Sequence, residues 1–241
     1  PMNRLVLILL LHMAAMSSQA SLDLTSWDEM LASAVTEGQV DYRQWRDNPR
    51  FDALVNQIAE ADVAGMSREE ALVFYINAYN ILAARGILDG SSPSSLLGRY
   101  VYFKRDKYTV AGESVNLYDL EHELIRPLGE ARIHFAIVCA SASCPILRNE
   151  AYTLEKLDQQ LEDAARTFIN DQSRNRFDAT SNDASVSKIF DWFREDFDAD
   201  AGSVQGYLAR YVQNRKIAEL LVLQGMDLKF MKYDWSLNGV K

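Results

Sequence analysis

Apolar residues recur at helical spacing through most of the chain, and polar caps punctuate the runs. Ser26-Trp27-Asp28-Glu29 has the form of a capping box and predicts a helix through about residue 36, stopped by Gly38. Ser67-Arg68-Glu69-Glu70 repeats the form. It opens a longer helix with Leu72, Tyr75, Tyr79, Leu82 and Ala83 on one apolar side, ending at Gly86. Residues 90–95 are a Ser/Pro/Gly loop. The β-rich stretches 100–103 and 108–110 flank a polar turn and predict a hairpin. A helix is expected over 118–128, a short buried strand over 133–138, and an amphipathic helix over 153–170. Beyond the polar stretch 170–184, helices are expected at 187–198, 204–212 and 218–223, then a strand at 228–234. Helices dominate without βαβ alternation or internal repeat. The pattern predicts an α+β fold, a mostly helical single domain with a small antiparallel sheet.

The N-terminus departs from this pattern. Arg4 precedes an unbroken apolar run at 5–11, residues 14–16 extend it, and Ser18-Gln19-Ala20 supplies small residues where a signal peptidase cuts. Residues 1–20 are expected to be a signal peptide and 21–241 the globular domain, exported to the periplasm or secreted. The apolar stretch is shorter than the ~20 residues that span a bilayer, no Cys follows the cut to take a lipid, and no later segment is read as a membrane span. The formal charge is −9, or −10 without Arg4. That surplus of acid excludes a general nucleic-acid binder and docking on anionic lipid. A peptide or protein partner is expected, with the oligomeric state left open.

The densest chemistry lies in His134-Phe-Ala-Ile-Val-Cys139-Ala-Ser-Ala-Ser-Cys144-Pro145. On a strand, His134 and Cys139 fall on opposite faces. Cys144 precedes Pro145, a first-turn residue, so a helix dipole and a nearby imidazolium would favour its thiolate. That makes Cys144 the better nucleophile and Cys139 the alternative. Two cysteines with four residues between them in an exported chain equally suit a local disulfide.

A second cluster runs from Asn116 to Arg126, where Asp119, His122, Glu123 and Arg126 share a helix face by spacing. His122 is a candidate base there, and the bland alternative is an ion-pair network at a helix start. A third pair, Asn77 and Asn80, points one way from an aromatic helix and could orient a loop or an imidazole. No metal-ligand spacing, nucleotide loop or nucleophile elbow is present, so neither metal nor cofactor is expected.

Five stretches together resemble the family known as domain of unknown function 547. They are FYINAYN at 74–80, LYDLEHELIR at 117–126, RIHFAIVCASASCPIL at 132–147, VSKIFDWFREDF at 186–197 and YDWSLN at 233–238. The resemblance covers about residues 40–238 and implies no established activity. It singles out Asn77, Asn80, Glu121, His122, Arg126, His134, Cys139 and Cys144. It also marks Ala140 as standing where Gly is common, which puts an oxyanion hole in that loop in doubt.

Two functions are expected from these parts. One is a papain- or transglutaminase-like thiol hydrolase or acyltransferase acting on an amide bond. Cys144 or Cys139 would be its nucleophile, His122 or His134 its base, and Asn77, Asn80 or Glu121 would orient the base. The other is a non-catalytic peptide- or protein-binding module with a Cys139–Cys144 disulfide. In either, Arg126, Tyr79, Tyr118 and Trp192 are the expected substrate or partner contacts.

Overall fold

The computed structural model describes residues 22–240, and the expected leader at 1–20 lies outside the described residues. Helix α1 (Leu24–Ala34) starts before the expected box, because the Asp23 carboxylate accepts from the Ser26 amide. It runs into β1 (Val35–Thr36), which pairs antiparallel with β2 (Gln39–Asp41). Asn48 caps α2 (Pro49–Glu60), with Pro49 in its first turn.

Helix α3 (Arg68–Leu88) begins at Ser67 with both reciprocal bonds of the capping box formed. It is buried all round over residues 72–84 rather than along one side. By length and composition it could cross a membrane, which the sequence reading did not register. Here 83% of its apolar stretch is packed inside the fold, as suits a central core helix.

Ser95 caps α4 (Leu96–Tyr100), and the chain winds on through a π-helical turn at Val101–Arg105. The hairpin expected across 100–110 therefore does not form. Tyr102 turns inward instead and donates its hydroxyl to the Ala83 carbonyl of α3 at 2.9 Å, a tertiary bond that overrides β-propensity. Strand β3 (Tyr108–Val110) pairs with β4 (Glu113–Val115).

After α5 (Leu117–Asp119), the segment expected as a buried strand forms a tight 3-10 turn at Ala131–Phe135 and continues irregularly. A strand needs a neighbour, and here Asn80 stands in for one. Its Oδ1 accepts from the Val138 amide at 2.8 Å and its Nδ2 donates to the Ala136 carbonyl at 3.0 Å. Asn77 does the same for Tyr152, accepting from its amide at 3.1 Å and donating to its carbonyl at 2.9 Å. Two side-chain amides thus satisfy buried backbone that would otherwise demand a sheet.

Helix α6 (Leu157–Asn170) is amphipathic as expected but starts later, leaving Leu154 exposed. Strands β5 (Arg176–Asp178) and β6 (Asp183–Val186) form a hairpin. Helices α7 (Ile189–Trp192), α8 (Arg194–Ala201), α9 (Val204–Tyr211) and α10 (Arg215–Val222) follow. Strand β7 (Asp227–Phe230) then joins β6 in parallel, and β8 (Gly239–Val240) joins β2 in parallel. At Gly239 a Cβ would collide with the Val40 carbonyl, so only Gly permits that pairing. The architecture is α+β and mostly helical, with three small sheets among the described residues. Two of these add a parallel pair to the antiparallel pairing expected.

The core has two parts. One surrounds α1–α3, the other α6–α9. They meet at Ala131–Phe135, where Ile133 belongs to the first, and Ala131 and Phe135 to the second. His134 sits on that seam.

Candidate functional site

Asn116 caps α5 by accepting from the Asp119 amide at 2.7 Å, and the chain then opens into a π-helix over Leu120–Ile125. There the Arg126 amide bonds the Glu121 carbonyl, five residues back. This wider winding changes which side chains converge. The face expected from ordinary helical spacing (Asp119, His122, Glu123, Arg126) is split. Asp119 pairs with Lys107 at 3.2 Å, while Glu121 and Arg126 turn inward together.

What they meet is His134, 3% exposed and stacked on Phe193 at 4.0 Å between ring centroids. His134 Nε2 lies 2.7 Å from Asp196 of α8. Asp196 also accepts two bonds from the Arg126 guanidinium, both at 2.8 Å. Burial opposes ionisation of Asp196, but the bonds from Arg126 and His134 win and hold its carboxyl well below the usual range. An ionised Asp196 assigns the proton of neutral His134 to Nε2. Burial also lowers the His134 pKa, against the attraction of Asp196. Nδ1 is then an acceptor, buried without a bond, 3.8 Å from Glu121 Oε1. Burial pushes the Glu121 pKa to about 8; the Asp196 charge pushes the same way and Arg126 opposes. One cluster therefore holds an ionised and a neutral carboxyl side by side at pH 7, a division seen where acid and base roles are separated.

The cysteines form a disulfide. No helix follows Cys144 and no strand precedes Cys139, so neither the dipole nor the opposite-face argument applies. Ala140 turns the loop with φ of +59°, a left-handed conformation that Gly adopts more readily. The loop is sewn to the C-terminal segment. The amides of Ala142 and Ser143 donate to the carbonyls of Ser236 and Asp234, at 2.7 and 3.1 Å, and that of Cys144 to Ser141 at 3.0 Å. Arg174 donates to the carbonyls of Ala142 and Cys144. These amides are occupied and offer no oxyanion hole. A disulfide closing so short a loop contributes only about 2 kcal/mol by chain entropy.

Disulfide and histidine cluster share one cavity of about 340 Å³. Its walls include Tyr79, Phe103, Tyr118, Trp192, Phe193 and Trp235, with Glu121, His122, His134, Cys139 and Cys144. Of the residues singled out in the sequence, Asn77 and Asn80 serve backbone elsewhere, and Arg126 reaches the site through Asp196. His122 stacks on Tyr118 at 3.8 Å and bonds its carbonyl at 3.0 Å. Burial lowers its pKa. Sequence reasoning missed Asp196, Phe193, Tyr233 and Trp235. All four lie in quoted motifs, yet 62 residues separate Asp196 from His134 and no local pattern links them.

Residues 63–169 match the family described as Protein of unknown function, DUF547. No curated protein and no solved structure matches the chain. The matched stretch carries Glu121, both site histidines and both cysteines, while Asp196 and Tyr233 come from outside it.

Proposed function

Residues 63–169 belong to the DUF547 family, and from that premise we propose that this chain is an exported binding module whose cavity takes an apolar side chain of a peptide. The observation that carries the reading is the cavity itself. A volume of about 340 Å³ between seven aromatic rings is at the small end of ligand sites and suits one large side chain with its flanking backbone. Trp192 and Tyr118 stand at its exposed edge, 44% and 36% accessible. The disulfide closes one wall, and Glu121, neutral below about pH 8, adds a hydroxyl donor. The acidic chain favours basic residues beside the anchoring side chain.

Calorimetric titration with Ac-Lys-Phe-Lys-NH2 tests this. Saturable binding is expected, about tenfold weaker for Ac-Lys-Ala-Lys-NH2 and for Trp192→Ala. Equal heats for the two peptides would sink the reading.

One observation favours the hydrolase instead. With Asp196 on Nε2, His134 keeps Nδ1 as an acceptor, the disposition of a general base. A freed Cys139 or Cys144 would be its nucleophile. After reduction, hydrolysis of an anilide such as Ac-Lys-Phe-p-nitroanilide is expected on this reading, lost in His134→Gln and in the double Cys→Ser variant. No turnover by the reduced chain removes it and leaves binding untouched.

A further inference from the structure

The two sulfurs of the disulfide are not equivalent. Cys144 is 3% exposed, and its Sγ accepts from the Cys139 amide at 3.0 Å and from the Tyr233 hydroxyl at 3.3 Å. Ser141 gives its hydroxyl proton to the Tyr233 oxygen at 3.2 Å, which leaves the phenol proton for sulfur, and Cys144 is the nearer of the two sulfurs. The resulting chain runs from Ser141 through Tyr233 to Cys144, each bond polarising the next. Cys139 is half-buried on the cavity wall. Its Sγ lies 3.1 Å from the Ser141 oxygen and 3.5 Å from the Tyr233 oxygen, farther from that phenol than Cys144 is, and no amide among the described residues donates to it. Two donors on a neutral disulfide sulfur gain little. On a thiolate they become charge-assisted and roughly twice as strong. Arg174, bonded to the Cys144 carbonyl at 2.8 Å and ion-paired with Asp171, holds the same loop in place.

We propose that Cys139–Cys144 is an exchange-active disulfide, opened by an apolar thiol entering the cavity, with attack at Cys139 and departure of Cys144 as a thiolate. The thiol loses its proton to solvent. A bond forms between its sulfur and Cys139 Sγ, the Cys139–Cys144 bond breaks, and the electron pair stays on Cys144. The incoming sulfur is oxidised and Cys144 reduced. A second thiol attacking the mixed disulfide releases the oxidised pair and leaves both cysteines reduced. Exchange runs faster when the leaving thiolate is stabilised, which is what the amide and the phenol provide. The regiochemistry is independent of what the cavity binds. The preference for an apolar thiol rests on the binding reading above.

The test treats the oxidised full chain with 2-mercaptoethanol, Ac-Phe-Cys-Phe-NH2 or Ac-Ser-Cys-Ser-NH2. It traps the mixture with N-ethylmaleimide at early times and maps both cysteines by mass spectrometry. The expected product carries the thiol on Cys139 and maleimide on Cys144. Tyr233→Phe, which keeps the ring, is expected to open at least tenfold more slowly with every thiol. Adducts spread evenly over both cysteines, or an unchanged rate in Tyr233→Phe, overturn the proposal. The Phe peptide is expected to react faster than the Ser peptide. If regiochemistry and the Tyr233 effect hold while the two peptides react alike, exchange stands for thiols in general and the apolar-binding reading is what fails.

Discussion

Between pH 6.5 and 8 the chain is expected to lose about 2 kcal/mol of unfolding free energy, and Glu121→Gln almost none of it. Glu121 has a pKa of about 8 in the fold against 4.5 when unperturbed. A raised pKa means the folded chain keeps a proton that the unfolded chain releases. Its contribution is whole below about pH 4.5 and drains as pH rises to 8. His134 acts in the opposite sense, because burial lowers its pKa from 6.5. Its contribution is whole above pH 6.5 and falls as the medium becomes acid. The two slopes oppose each other below pH 6.5, and only that of Glu121 remains above it, at about 1.4 kcal/mol per unit. Gln has the shape of the neutral acid and nothing to ionise, so the variant is expected to be the more stable chain at pH 8. Urea titrations at pH 6.5, 7.25 and 8 decide the matter. Parallel losses in both chains would show that Glu121 is ionised in the fold.

Asp196→Ala is the second large effect, an expected loss of about 3 kcal/mol, at the low end for breaking a buried pair because Arg126 and Asp196 keep some water. Their side chains are 20% and 24% exposed, while that of His134 is 1% exposed. The variant strands two donors at once, the guanidinium and the Nε2 proton, and a desolvated donor costs more than its bond contributes. Asp196→Asn keeps an acceptor and is expected to lose about half as much. Removing the Asp196 charge also lowers the Glu121 pKa, since that charge helps raise it. The alkaline loss therefore shrinks in Asp196→Ala, which simple unfolding damage would not produce. A loss under about 1 kcal/mol would mean that the cluster carries little of the fold's stability.

What the sequence by itself determined was local. The Ser67 box, the amphipathic face of α6, the helix at α9 and the α+β class all rest on residues within a few positions of one another. It also drew the eye to His134 and the two cysteines by their density, and to Glu121 by the family resemblance, and those residues do share a cavity. Tertiary structure decided the rest where a distant partner outbid a local preference. Tyr102 left a β-rich stretch for a carbonyl on α3. Asn80 and Asn77, marked for orienting an imidazole, were drawn to backbone that had lost its strand neighbours. The π-helical turn put Arg126 over Glu121, a convergence at five-residue spacing that a helical wheel does not show. Asp196, which sets the His134 tautomer, and Tyr233, which bonds the Cys144 sulfur, arrive from the C-terminal third of the chain. A hydrogen bond carries no trace of its sequence separation, so roles made by such bonds become visible only once the chain has closed on itself.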